Sequence, residues 1–218
     1  MSILRTNFFG DPNIGLYGFT TDKYCIIGMH QKANKKIKTT LKVPLRVSSA
    51  MQTGFASLFM AGNSSGLVVP RILEDYELLP IKQSFDNVLI LNTDYTAVGN
   101  LILLNDKGII LSPLLRKHKD VIKKFFDLPC EIAKIAGTVV VGSAAIATNK
   151  GCLLHSRVKD AERKVVEATL QVNTDIGTVN FGSSFVKSGI IANSRGLIVS
   201  DMCSGPELTR IHETLGFM

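Results

Sequence analysis

The chain has 218 residues, 45% apolar and 20% charged, with 25 Lys and Arg against 18 Asp and Glu, a net charge of +7. This apolar share excludes a disordered chain, and the length is ample for a sizeable hydrophobic core in one large domain or two small ones. No run of about 18 apolar residues is present, since even residues 101–111 are broken by Asn105, Asp106 and Lys107, so no spanning helix is expected. Residues 1–12 lack the apolar run of a signal peptide. An unexported chain keeps Cys25, Cys130, Cys152 and Cys203 as reduced thiols, so a cytoplasmic protein is expected.

In chain order, a first strand is expected at residues 2–8. Then one pattern recurs five times: a short apolar run, a polar turn, a second apolar run, a helix and a strand. The turns are Thr21-Asp22-Lys23-Tyr24, Asn63-Ser64-Ser65-Gly66, Asn105-Asp106-Lys107-Gly108, Thr148-Asn149-Lys150-Gly151 and Asn193-Ser194-Arg195-Gly196, spaced 42 to 45 residues apart. Two apolar runs joined by such a turn predict a hairpin. The second runs are Cys25-Ile26-Ile27, Leu67-Val68-Val69, Ile109-Ile110-Leu111, Cys152-Leu153-Leu154 and Leu197-Ile198-Val199. Helical stripes follow, formed by Val121, Ile122, Phe125 and Phe126 in the third unit and by Ala161, Val165, Val166 and Leu170 in the fourth. In the second unit Pro80 is expected to kink or delay the helix. In the fifth, Ser204-Gly205-Pro206-Glu207 starts a helix with a capping box, and Leu208, Ile211 and Leu215 form its stripe.

Third strands are expected at 43–48, 87–92, 130–135 and 170–175, but the fifth unit has none before the sequence ends. The strand at 2–8 is expected to complete it. This leaves fewer open sheet edges and makes residues 1–218 one cooperative domain, because a single unit cannot bury its own apolar face. The inner strands are expected to start near Gly15, Ser57, Gly99, Gly142 and Lys187; four of these are small, as suits strands crowding a common axis.

Charge is unevenly placed. Residues 24–73 contain no acid but carry Lys32, Lys35, Lys36, Lys38, Lys42, Arg46 and Arg71; a second cluster is Arg116, Lys117, His118, Lys119, Lys123 and Lys124. Such clusters suit phosphate, or are simply a solvated basic face. The turn residues Asn63, Asn105 and Asn193 share one repeat position, where Asn bonds its own backbone. Cys203 falls at the position of Leu73, Leu115 and Val158, which reads as core. His30, His118, His155 and His212 are scattered, with no metal-ligand spacing and no phosphate-binding Gly-Lys loop.

The motifs Val98-Gly99-Asn100, Asn105-Asp106-Lys107-Gly108, Leu111-Ser112-Pro113, Val141-Gly142-Ser143, Thr148-Asn149-Lys150-Gly151-Cys152, Gly177-Thr178-Val179-Asn180 and Ser204-Gly205-Pro206-Glu207-Leu208 resemble the translation initiation factor 6 family, archaeal type. The resemblance spans the whole chain. It implies an α/β (α+β) pentein fold, a closed five-bladed α/β propeller with five-fold pseudosymmetry. It also implies a monomeric, non-enzymatic factor without cofactor or metal. Such a factor binds the large ribosomal subunit, at a ribosomal protein beside the sarcin–ricin loop and at rRNA, and blocks joining of the small subunit, with a further role in subunit biogenesis. The family's contact end carries over to Gly99 and Asn100 and, by repeat position, to Ser57, Leu58, Gly142 and Ser143. Lys32, Lys35, Lys36, Lys38 and Lys42 are candidates for added rRNA contact, because this chain is basic where many members are acidic. The alternatives are a pentein enzyme acting on guanidino groups through Cys203 and His155, and a stand-alone basic RNA-binding protein. The latter would lack the usual aromatic stacking motifs.

Overall fold

In the computed structural model, which describes residues 2–217, the chain forms five three-stranded sheets. Strand β1 (Ser2–Thr6) comes first. The first sheet holds β2 (Gly18–Thr20), β3 (Cys25–Ile27) and β4 (Leu45–Val47), with α1 (Ile14–Tyr17) before it and α2 (Asn34–Leu41) linking β3 to β4. The second holds β5 (Ala61–Asn63), β6 (Gly66–Pro70) and β7 (Val88–Leu91), with α3 (Ala56–Phe59) and α4 (Asp75–Ser84). The third holds β8 (Ile102–Leu104), β9 (Ile109–Leu111) and β10 (Cys130–Ile132), with α5 (Val98–Leu101), a 3-10 segment (Pro113–His118) and α6 (Lys119–Phe126). The fourth holds β11 (Ala145–Ala147), β12 (Gly151–His155) and β13 (Asn173–Gly177), with α7 (Val141–Ala144) and α8 (Asp160–Leu170). A 3-10 turn (Val186–Gly189) then leads to β14 (Ile190–Ala192), β15 (Gly196–Ser200) and α9 (Gly205–Thr214).

Each sheet pairs its first two strands antiparallel, as Ile102 with Leu111, and its last two parallel, as Leu67 with Val88. Strand β1 fills the third place beside β15 in parallel register, Ser2 opposite Gly196 and Thr6 opposite Ser200. The middle strands β3, β6, β9 and β15 are buried along their whole length. They read as continuous apolar runs because a strand central in its sheet is covered on both faces.

Residues Gly15, Ser57, Gly99, Gly142 and Lys187 do not begin strands. They lie in one-turn helices and a 3-10 turn, and the strands start three or four residues later. The buried pairs Ile14 and Tyr17, Val98 and Leu101, and Val141 and Ala144 are three apart, the spacing of one helical face. The outer helices also bury less than their sequence stripes imply. Val121 is 50% exposed and Val165 38%, leaving the i,i+4 pairs Ile122 with Phe126 and Val166 with Leu170 as the anchors. Helix α4 runs through Pro80, whose ring lies on the exposed side.

The capping boxes do more than start helices. Glu207 accepts from the Ser204 N–H and hydroxyl, the Thr178 hydroxyl, and the N–H groups of Phe181 and Gly182. Phe181 and Gly182 have positive φ, so this one carboxylate fixes both a helix start and a strained loop. Glu162 does the same for Lys159, Ala136 and Gly137. Partial burial pushes the Glu207 pKa up, but the bonds it accepts outweigh this and hold it below its ordinary 4.5. Glu207→Ala is expected to lose about 2 kcal/mol at pH 7, the scale of hydrogen bonds to a charged group. Because the folded pKa is depressed, that contribution is present above 4.5 and fades as pH falls through the folded value. Urea unfolding of both proteins at pH 7 and pH 3 measures it, and an equal gap at the two values would contradict the assignment.

The sheets interlock at their turns, in cyclic order. Asn63 donates to the Asn105 carbonyl, Asn105 to those of Thr148 and Leu170, and Asn193 to those of Thr21 and Leu41. The Oδ1 atoms of Asn105 and Asn193 accept two N–H groups of their own turns. These Asn are turn residues that also join each sheet to the next. Gly108 packs against the Thr169 carbonyl, Gly151 against that of Thr214, and Gly196 against that of Thr40. Between the first and second sheets, Tyr24 takes this role, stacking edge-on against Phe85 and donating to the Gly66 carbonyl. Lys107 and Arg195 donate to the Gln171 and Lys42 carbonyls, just past the C-termini of α8 and α2, where cations are favoured.

Candidate functional site

The short helices α1, α3, α5, α7 and the 3-10 turn contact one another in cyclic order and enclose an opening. The four-residue turns form the opposite end. Between the two ends lies a narrow cavity of about 60 Å³, lined by residues of all five sheets, among them Phe19, Ala61, Leu103, Ile146 and Ile191.

At the helical end a cavity of about 310 Å³ is lined by Leu16, Ser57, Leu58, Asn100, Ser143 and Phe185. It brings together four of the six residues expected at a contact surface. Gly99 and Gly142 lie behind it, fully covered. A methyl at Gly99 would sit 2.1 Å from the Ser57 carbonyl oxygen, and one at Gly142 would sit 2.3 Å from that of Gly99. These glycines therefore serve close packing of neighbouring helical turns. Ser57 is also fully buried. Of the six, Leu58, Asn100 and Ser143 are the ones left partly uncovered at this end.

Asn100 is oriented. Its Oδ1 accepts the Ser143 hydroxyl at 2.8 Å, which turns Nδ2 away as a donor with no acceptor among the described residues. Around the opening, Phe9 is 69% and Phe181 74% exposed, both at positive φ. Each lies between the end of an outer strand and the next helical turn, so both stand at this same end. Exposed aromatics on fixed loops are the residue type that anchors protein interfaces. The sequence reading missed them because the equivalent turns hold Met51, Gln52 and Ala136 instead, so no residue type repeats there.

Lys187 was also missed as a functional residue. Four sheets place Gly or Ser at its position, whereas its ammonium reaches across the opening and donates to the carbonyls of Ser57 at 3.2 Å and Gly99 at 2.9 Å. Burial pushes its pKa from 10.5 down to about 8, with no charged neighbour contributing. The folded protein therefore releases this proton between about pH 8 and 10.5 while the unfolded chain keeps it. By linkage, stability gains from Lys187 as pH rises through that window. Relative to Lys187→Met, the wild type is expected to gain about 2 kcal/mol between pH 8 and 10.5, a value reduced for partial solvent access. Urea unfolding of both proteins at several pH values reads it; parallel curves would contradict a desolvated ammonium.

The lysines Lys32, Lys35, Lys36, Lys38 and Lys42 are all exposed. They lie along and beside α2, which returns from the end of β3 to the start of β4. The basic strip thus runs down the flank from the helical end to the turn end, outside the opening. Burial raises the pKa of Cys25 to about 12 and that of Cys130 to about 11, and raises those of Cys152 and Cys203. This favours the neutral thiol and a core role over nucleophilic use. Among the described residues no cluster of His, Cys, Asp or Glu could hold a metal ion, and no helix is long and apolar enough to cross a membrane.

Comparison with known proteins agrees across the chain. A sequence model described as the eIF-6 family matches residues 3–214. Proteins named translation initiation factor 6 align over nearly all of both chains. The one from Pyrococcus horikoshii is 35% identical over 227 positions covering 100% of each chain. That from Saccharolobus solfataricus is 36% identical over 222 positions, 99% of this chain and 100% of its own. That from Methanocaldococcus jannaschii is 35% identical over 225 positions, 99% of each.

Proposed function

The chain belongs to the eIF-6 family, and from that premise we propose that this translation initiation factor binds the large ribosomal subunit through its helical end and sterically prevents joining of the small subunit. The observation that carries the reading is the oriented, unused Asn100 amide beside Leu58 and Ser143, within a rim that holds Phe9 and Phe181. Such a surface suits a protein or RNA partner of fixed shape. The Gly-to-carbonyl packing behind it holds the contact residues in place before binding, which keeps the ordering cost low.

The cyclic order of contacts between sheets supports a closed pentein propeller acting as one domain; the same proposal takes the factor to act as a monomer in the cytoplasm. The partner surface in this reading is a ribosomal protein beside the sarcin–ricin loop. The lysine strip on α2 would add long-range attraction to rRNA and faster association. A role in large-subunit biogenesis belongs to the same proposal, since the factor would cover the same face before the subunit is used.

The test mixes the protein with purified subunits on a sucrose gradient. Co-migration with large subunits, together with fewer joined ribosomes, is the expected result. A protein that stays at the top of the gradient, or rides on large subunits without reducing joining, would refute the reading.

A further inference from the structure

At the turn end, between the first and second sheets, lies a cleft of about 440 Å³ lined by Lys23, Arg46, Ser64, Ser84, Phe85 and Asn87, among others. Arg46 stands on β4 opposite Ile26, and its guanidinium carbon lies 4.7 Å from the centre of the Phe85 ring. Tyr24 holds that ring edge-on at 4.8 Å. The ring thus holds the guanidinium against its face. None of its N–H groups has an acceptor among the described residues, although Arg5, Arg71, Arg163 and Arg210 all bond oxygen atoms. Its Nε is buried without a partner, the only arginine nitrogen so placed among the described residues. Lys23, exposed on the same cleft, has no carboxylate partner there either.

The acids nearby do not neutralise the pair. Asp106 is engaged by the Ser64 N–H and hydroxyl and by Asn149. Asp86 lines the cleft but is exposed and forms no ion pair. A guanidinium held against an aromatic ring, with its donors unused and a second cation lining the same cleft, suits an oxyanion with several acceptor oxygens.

We propose that this cleft is a phosphate-binding site, in which Arg46 grips two oxygens of a phosphate and Lys23 supplies a second positive charge. The phosphate is that of an RNA strand or a free ion. The Ser84 hydroxyl is a further donor within the same cleft. The site lies at the end opposite the Asn100 surface, so it stands independently of the subunit-joining reading. It lets the protein hold RNA while the helical end is occupied.

The test uses the full chain in phosphate-free buffer. The Arg46 side-chain Nε–H signal is followed by NMR during titration with inorganic phosphate and then with a 20-nucleotide RNA, and is assigned by its loss in Arg46→Lys. RNA affinity is measured by fluorescence anisotropy across a salt series. Lys164→Met serves as a control that removes an exposed charge elsewhere. Arg46→Met and Lys23→Met are each expected to weaken RNA binding about fivefold or more, and to lower the salt slope by about 1. Lys164→Met is expected to stay within about twofold, and Arg46→Lys to fall between, since it keeps the charge but loses the fork. A shift of the Arg46 signal with phosphate but no RNA affinity assigns the site to the free ion. No shift with either, or losses for Arg46→Met no larger than for Lys164→Met, would overturn the proposal. Thermal melts of every variant separate these outcomes from misfolding.

Discussion

Replacing Gly151 by Ala is expected to cost at least about 3 kcal/mol, the upper end of overpacking effects. The added methyl would lie 1.8 Å from the Thr214 carbonyl oxygen, 2.9 Å from its carbon and 3.3 Å from the Leu215 Cα. All three are backbone atoms at the end of α9, so no side-chain rotation relieves the clash, and the fourth and fifth sheets must separate. For a chain of this size such a loss lowers Tm by roughly 6–12 °C. Gly205→Ala is the matched control. Nothing lies within 4 Å of its added methyl, and the position is the first of α9, where Ala exceeds Gly in helix propensity by up to about 1 kcal/mol. Calorimetry on both variants decides the matter. A Gly151→Ala protein within about 0.5 kcal/mol of wild type would show that the junction between sheets is loose.

That glycine shows how much of the fold the sequence carries. The spacing of the turn glycines was legible, and so were the hairpins, the capping box at Ser204 and the place of the N-terminal strand beside β15. Each rests on chemistry repeated within a few residues. The reason for the glycines was not legible. Gly66, Gly108, Gly151 and Gly196 have negative φ, and their turns do not need left-handed backbone. Gly108, Gly151 and Gly196 are required by the carbonyls of Thr169, Thr214 and Thr40, each more than 60 positions away in the chain. The one-turn helices were missed because four residues hold too little periodicity to separate a helical turn from a strand start.

The candidate site divides in the same way. Asn100 was expected there from the family resemblance, and Leu58 and Ser143 from repeat equivalence; the fold brings the three to one cavity because the units present the same position to one opening. Equivalence failed at Lys187 because that residue departs from the repeat. Its environment, two accepting carbonyls from α3 and α5, exists only after folding. Arg46 was visible merely as one cation among seven in an acid-free stretch. What sets it apart is Phe85, 39 residues later in the chain, which packs on its guanidinium, and the lack of any acceptor for that guanidinium among the described residues.

Asn100→Arg is expected to weaken large-subunit binding by about 30-fold or more, equivalent to about 2 kcal/mol, while moving Tm by only a few degrees. The folded chain loses one hydrogen bond, from the Ser143 hydroxyl to Oδ1, worth about 1 kcal/mol. Asn100 is partly exposed beside a cavity of about 310 Å³, which gives a longer side chain room. The bound state has no such room, because a rigid partner shaped to this end would meet a bulky cation where it expects a short amide. Asn100→Ala removes the donor without adding bulk and is expected to cost less, about 10-fold. The ordering of the two variants separates steric exclusion from loss of a hydrogen bond. Co-sedimentation of each protein with purified large subunits over a concentration series measures both. If Asn100→Arg binds as well as wild type, the helical end is not the contact surface, and the partner must be sought on the flank lined by α2.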